Sequence, residues 1–472
     1  MDIPDTSHPP LKSSSASACE VAIIGAGPYG LSLAAHLNAK GIDCRVFGKP
    51  LSTWNAHMPR NMFLKSDGFA SNLSAPFPES TLGAFCAVGR IAYAPQGFPI
   101  ALDTFLEYAD SFCRRFVPRI DKSDVSSLTQ DADGFRLALD DGRTLAARNV
   151  VVATGITHFA YTPAPLGALP EGAVSHSFDH RKADKFLGRD VAVVGAGSSA
   201  TDTAIMLHDA GVSVRIVARA PAIEYNSIPD PDADSLLYRI QRPASGIGRG
   251  WRSYFCASAP LLFHKLPEPM RRRAIMSHMH PAAGWFMQEG IEGRVPCLLG
   301  RQIAEAKESG GRVLLTLKDS SGSVEVLACD HVIAATGYRP DIRKLSFLSR
   351  DLCDLIAPAR TTAPLTDRFE TRVPGLFVIG PAAIDSFGPL MRFMYGAEFA
   401  APHLAAFLER KLSAASRQQA AWAQNANGNG KSVRTVRAGE RGEAEATGRG
   451  RPHYGVKPVR NSAPTHATSV CD

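Results

Sequence analysis

The chain has 472 residues, a formal net charge of +7, 45% hydrophobic and 21% charged residues, a length and composition that fit a globular enzyme of two domains. No apolar run approaches the roughly 18 residues of a membrane span. The charge does not mark a nucleic-acid binder either: ten Lys/Arg and four Asp/Glu lie from Lys411 onward, which leaves a body of net +1.

Nine cysteines are scattered without a CxxC pair. They point to a reducing, cytoplasmic setting with mostly buried thiols, and away from a metal site or a redox dithiol. Residues 1–18 lack the basic-then-apolar layout of a signal peptide and read as a loose polar tail. Val21 to Ile24 then form an expected buried strand. Gly25, Gly27 and Gly30 follow at the spacing of the dinucleotide fingerprint, and a helix continues through Leu37. Gly25 permits the tight turn, Gly27 lets the backbone approach a pyrophosphate, and Gly30 lets helix and strand pack closely. The helix that opens at Pro28 offers unpaired N–H groups and a partial positive charge to the phosphates.

The second strand, Cys44 to Phe47, ends in Gly48-Lys49, where an acidic residue normally holds the ribose hydroxyls. The ribose is therefore expected on backbone groups, with Lys49 near a phosphate. In residues 50–73, Trp54, Met58, Lys65 and Ser66 either line a flat aromatic ring or belong to a surface loop with a core Trp. A helix is predicted over 101–117, ending at Pro118. A hairpin with an Asp-Gly turn then leads into a buried strand that closes at Thr154-Gly155.

The fingerprint recurs 170 residues later as VAVVGAGSSATDTAIML, with Gly195, Gly197 and Ala200 in its three positions and Ser198 and Ser199 opening the helix. Two such units imply two bound dinucleotides. A strand over 213–217 is followed by Arg219, either a partner for a cofactor's 2′-phosphate or a solvated surface residue. Residues 237–290, with Trp251, Phe255, Phe263 and Trp285, read as a helical insertion packed over the second unit. Its His264, His278 and His280 have the look of polar surface or core residues rather than metal ligands. Thr336-Gly337 repeats the earlier strand ending, and a last buried strand closes at Gly380-Pro381. A helix is expected from about Pro389 to Leu408, and a disordered basic tail over 411–472. The fold class is α/β, with two Rossmann-like dinucleotide-binding domains, the second inserted in the first.

On these residues the chain resembles the NADPH-dependent class B flavoprotein monooxygenases, including the flavin-containing and N-hydroxylating branches. The resemblance is carried by Gly25-Ala26-Gly27-Pro28 with Gly30-Leu31, Trp54 in a degenerate GGxW stretch, and Ala153-Thr154-Gly155. Gly195-Ala196-Gly197-Ser198-Ser199 with Asp202, and Ala335-Thr336-Gly337-Tyr338, complete it. It covers about residues 19–410 and implies FAD on a first domain of 19–165 and 330–410, and NADPH on a second of 166–329. The family's FxGxxxHxxx(Y/F) run keeps Gly172 and His176 here, while Pro170 and His180 occupy its aromatic ends. Gly380-Pro381 stands where disulfide-reductase relatives carry Gly-Asp.

The resemblance implies that NADPH reduces the flavin and that O₂ adds to form a C4a-hydroperoxyflavin. An oxygen then passes to an amine or other heteroatom of a small substrate, while the protein orients the rings and excludes water. The Pro389 helix would aim its positive end at the flavin's pyrimidine edge. Arg392 is then either a charge near flavin or substrate or a structural ion-pair residue. The partners implied are a small molecule and O₂, with no specific nucleic acid. The alternatives are a reductase passing electrons to a quinone or protein, and a non-catalytic redox sensor.

Overall fold

The computed structural model describes residues 18–132, 134–226, 235–278 and 282–428. β1 (Ala18–Ile24) runs into the helix Pro28–Ala39 and then β2 (Cys44–Phe47). The helices Leu82–Gly89 and Leu102–Phe116 precede β3 (Ile120–Asp121), β4 (Val125–Asp131), β5 (Gly134–Leu139) and β6 (Thr144–Val152). β7 (Val174–His176), β8 (Asp190–Val194), the helix Ser198–Asp209 and β9 (Ser213–Val217) follow. A small hairpin of β10 (Ala244–Ser245) and β11 (Gly248–Arg249) opens a segment with helices Trp251–Ser258, Pro260–His264 and Glu268–His278. The chain continues through β12 (Cys297–Leu298), β13 (Gln302–Ser309), β14 (Arg312–Lys318), β15 (Val324–Cys329) and β16 (His331–Ala334). It ends in β17 (Leu376–Val378) and the helix Ala397–Gly428.

Among the described residues these strands build four sheets: two larger, doubly wound ones, the β10-β11 hairpin and an antiparallel β13-β14-β15 sheet. The first has the order β3-β2-β1-β6-β5-β4, with β17 also on β6. β6 serves two neighbours in turn: its start pairs antiparallel with β5, and Val150–Val152 pair parallel with β17. The second sheet is parallel throughout, in the order β12-β9-β8-β16-β7. Helices cover these parallel strands, so Val21, Ala22 and Ile23, and likewise Val191, Ala192 and Val193, are wholly buried. That double burial is why both stretches are unbroken apolar runs. β16 completes the second sheet between β8 and β7, so the second unit extends past residue 329 to the Thr336-Gly337 turn.

Three expectations need correction. The helical insertion does not pack over the second unit alone, because Cys256, Phe263 and Ile275 join the core of the first. Phe263 fills a socket left by Gly388, where a Cβ would lie 2.6 Å from its ring. Next to it, His264 stacks on Phe387 with ring centroids 4.9 Å apart and donates from Nδ1 to Ser386 O at 3.2 Å. The final helix begins at Ala397 rather than Pro389, since extended Phe393 (φ −100°, ψ 148°) separates two 3₁₀ turns, Pro389–Arg392 and Met394–Gly396. It also continues to Gly428, so the stretch 411–428 is helical where a disordered tail was expected. Both sheets and the insertion lie in one compact unit ending at Ser416. Among the described residues no helix is long and apolar enough to cross a membrane.

Candidate dinucleotide sites

The three glycines of the first fingerprint do different work. Gly25 turns the chain out of β1 with φ +114°, and a Cβ there would lie 2.4 Å from Ala153 O. At Gly30 it would lie 2.0 Å from Gly25 O. Around Gly27 nothing stands within 4 Å of the Cβ position. Gly27 opens the helix in extended conformation with no side-chain cap, and Pro28 takes the first helical position. The remaining first-turn N–H groups therefore face an open cradle that fits a pyrophosphate. Half-buried Thr154 and Gly155, the latter at φ +65° with open space around it, border the cradle beside Ala153. Gly380 (φ +78°) packs against the same helix, where a Cβ would lie 3.2 Å from the Tyr29 ring. Lys49 is exposed at the end of β2. A cavity of about 380 Å³ opens at this end, bordered by Pro50, Leu51, Leu106, Ile120 and Lys122.

The second cradle repeats the first. Gly195 (φ +147°) would place a Cβ 2.3 Å from Ala335 O, and Ala200 is fully buried in the third position. Gly197 opens the helix Ser198–Asp209, again without a side-chain cap. The Ser198 hydroxyl is committed to Ala282 O at 2.8 Å, which leaves its main-chain N–H for a ligand; Ser199 is half-buried beside it. Arg219 is exposed just past β9. Gly337 (φ +77°) accepts at its carbonyl from Tyr161 N at 3.0 Å and from His176 Nε2 at 3.1 Å. The Thr336 hydroxyl donates to Tyr161 O, so this turn serves the passage between units as well as the cradle.

That passage is a short antiparallel crossing. Arg339 N donates to Phe159 O at 2.8 Å, and the Arg339 guanidinium lies 3.5 Å over the Tyr161 ring. Lys65 adds a second tie. It places Nζ 2.7 Å from Asp202 Oδ1 on the helix of the second cradle. The pair is only 19% and 8% exposed, and burial raises the Asp202 carboxyl while Lys65 opposes that rise. Trp54 packs on the first core, its ring 5.9 Å from Phe105.

Tyr29 escaped the sequence reading. Its buried hydroxyl donates toward Phe393 O at 2.8 Å and Met391 O at 3.1 Å, fastening the fingerprint helix to the turn that ends in Arg392. Arg392 is open at its surface yet set in a recess where desolvation lowers its basicity. Among the described residues it makes no ion pair, which counts against a purely structural role. His264 and His278 donate to main-chain carbonyls of Ser386 and Ala274, and His280 lies outside the described residues. The eight described cysteines are unpaired. Burial pushes Cys19 and Cys44 up to about 12 and Cys113 and Cys329 up to about 11, so these thiols stay protonated.

Comparison with known proteins agrees with this architecture. Residues 22–237 match the family described as pyridine nucleotide-disulphide oxidoreductase. Indole-3-pyruvate monooxygenase YUCCA1 of Oryza sativa subsp. japonica is 30% identical over an alignment of 350 positions that covers 68% of this chain and 77% of that protein. A ferredoxin–NADP reductase of Gluconacetobacter diazotrophicus is 29% identical over an alignment of 371 positions that covers 77% of this chain and 84% of that one. The fold of the ornithine N-hydroxylase of Kutzneria sp. 744 superposes with a TM-score of 0.66 at 17% identity, covering 84% of this chain and 99% of that chain. With both cradles formed and YUCCA1 30% identical across 77% of its own length, this chain belongs to the class B flavoprotein monooxygenases, FAD- and NADPH-dependent oxidoreductases of two dinucleotide-binding folds.

Proposed function

We propose that the chain is an NADPH-consuming monooxygenase that uses O₂ to oxygenate a small nucleophilic substrate, an amine or other heteroatom centre. The observation that carries this reading is the pair of glycine-turn helix starts, Gly27 and Gly197, in one compact unit, with the described thiols held protonated and unpaired. FAD, when bound, supplies hydride acceptance and oxygen chemistry. The chain's own part is to hold and orient. The Gly27 turn and the N–H groups of Tyr29 and Gly30 take one pyrophosphate, and Gly197 to Ser199 take the other. Arg219 meets the 2′-phosphate of NADPH. Arg392, steadied through Tyr29, offers a cation to an anionic flavin or substrate. The protonated thiols fit a reducing, cytoplasmic setting.

Rapid mixing of the NADPH-reduced holoenzyme with O₂ tests this. A return to the oxidised spectrum in two phases, the second slowed by NADP⁺, supports oxygenation; Arg219→Ala should erase the preference for NADPH over NADH. A second reading, a reductase feeding electrons to a protein or quinone, is favoured by the ferredoxin–NADP reductase match. A single-phase return with fast anaerobic turnover on such acceptors would select it.

A further inference from the structure

The first cradle lacks the carboxylate that ordinarily ends the second strand, because Gly48 stands there. We propose that Asp124, in the turn between β3 and β4, supplies it, so that its carboxylate accepts the adenosine ribose hydroxyls of FAD. This rests on the assignment of FAD to the first cradle.

The geometry points across the sheet edge. Gly48 adopts φ +109°, and its Cβ position faces the fingerprint, 3.7 Å from Ala26 N and 3.9 Å from Gly25 Cα. Asp124 Oδ1 lies 3.9 Å from that same point. A carboxylate therefore stands within reach of the place that a strand-end acid would have occupied, carried by the turn that follows the neighbouring strand. The juxtaposition is built rather than incidental. β2 and β3 pair in register through Phe47 and Asp121, and Gly48 N donates to Asp121 O at 2.9 Å, which sets the two turns side by side. The Asp124 main chain is pinned at both ends: its N–H donates to Asp140 Oδ1 at 3.1 Å and its carbonyl accepts from Asp140 N at 2.9 Å.

The neighbouring acids are already occupied. Asp121 and Asp141 hold Arg143, and Asp140 holds the Asp124 N–H. The Asp124 side chain is exposed, and among the described residues its oxygens have no hydrogen-bond partner. A ribose diol is the kind of ligand a free carboxylate in a phosphate-binding groove takes, since both hydroxyls donate to one acceptor pair. Gly48 keeps that approach clear, in a backbone conformation that few other residues adopt.

The test is FAD affinity of the full-length chain, read by flavin fluorescence on reconstitution. Asp124→Asn and Asp124→Ala should weaken FAD by about tenfold to a hundredfold, the loss of charged hydrogen bonds, and Asp124→Glu should recover most of it. An FAD analogue with 2′-deoxyadenosine should bind wild type more weakly by a similar factor and should be no worse than FAD for Asp124→Asn. FAD binding by Asp124→Asn at wild-type strength overturns the inference. So does a variant that loses FAD yet still discriminates against the deoxy analogue, since the loss then lies in folding. A wild-type chain that binds no FAD overturns the cradle assignment itself, a different failure.

Discussion

Adding one carbon at Gly30 would place it 2.0 Å from Gly25 O, and at Gly25 2.4 Å from Ala153 O, both rigid backbone atoms. Gly30→Ala and Gly25→Ala should therefore fail as folding mutations, with little soluble protein. Gly27→Asp meets nothing within 4 Å and should fold with a near-native thermal midpoint but without flavin, its carboxylate repelling the pyrophosphate. Flavin absorbance and circular dichroism on the same samples check both; equal unfolding in all three would refute the distinction. The spacing of these glycines was legible in sequence because the whole motif is local. Tyr29, two residues away from Gly27, was not, because its acceptors Met391 and Phe393 lie more than 360 residues along the chain. Asp202 was legible as a motif member but not as the partner of Lys65, since nothing local relates a loop lysine to a distant helix.

At the scale of elements, β7 and β16 are joined by more than their ladder. The Ser175 hydroxyl lies 2.6 Å from His180 Nε2 and 2.7 Å from His331 Nε2, while His331 Nδ1 faces Gly172 O at 3.0 Å. A carbonyl only accepts, so His331 carries its proton on Nδ1 and Ser175 donates to Nε2; His180 must then donate to Ser175. Burial holds His180 neutral, its pKa drawn down to about 4. The unfolded chain, with an ordinary histidine near 6.5, binds more protons than the native one between these values. Stability from this group is full above about pH 6.5 and drains away as pH falls to about 4. The thermal midpoint should drop over that window, and His180→Gln should flatten the drop. Part of the slope will survive, because His36 is drawn down to about 4 as well; a slope unchanged by the substitution would rule the His180 account out. The strands themselves were readable from apolar runs, but the start of the last helix was not. Proline suits the first turn of an α-helix and of a 3₁₀ turn alike, so Pro389 marked a beginning without saying of which.

For the whole molecule, the Lys65–Asp202 pair is a largely buried tie between the two dinucleotide folds. Lys65→Met should strand the Asp202 carboxylate and cost about 3–5 kcal/mol in denaturant unfolding. The double change Lys65→Met with Asp202→Asn should recover most of that, and a double variant as unstable as the single would show that the two are uncoupled. The two-fold architecture was legible because each unit repeats the same local grammar. The seat of the insertion was not: an apolar residue such as Phe263 announces burial, and only the structure names Gly388 as its socket. The divided allegiance of β6 has a consequence in time. Its C-terminal half waits for β17, and roughly 220 residues separate them. At a synthesis rate of about 5–20 residues per second, the first sheet stays incomplete on the ribosome for some 10–45 s after β6 is made, with Val150 to Val152 an open strand edge throughout. Flavin capture is thus a late event in the life of the nascent chain, and crowded or overheated expression should cost soluble protein before it costs cofactor occupancy.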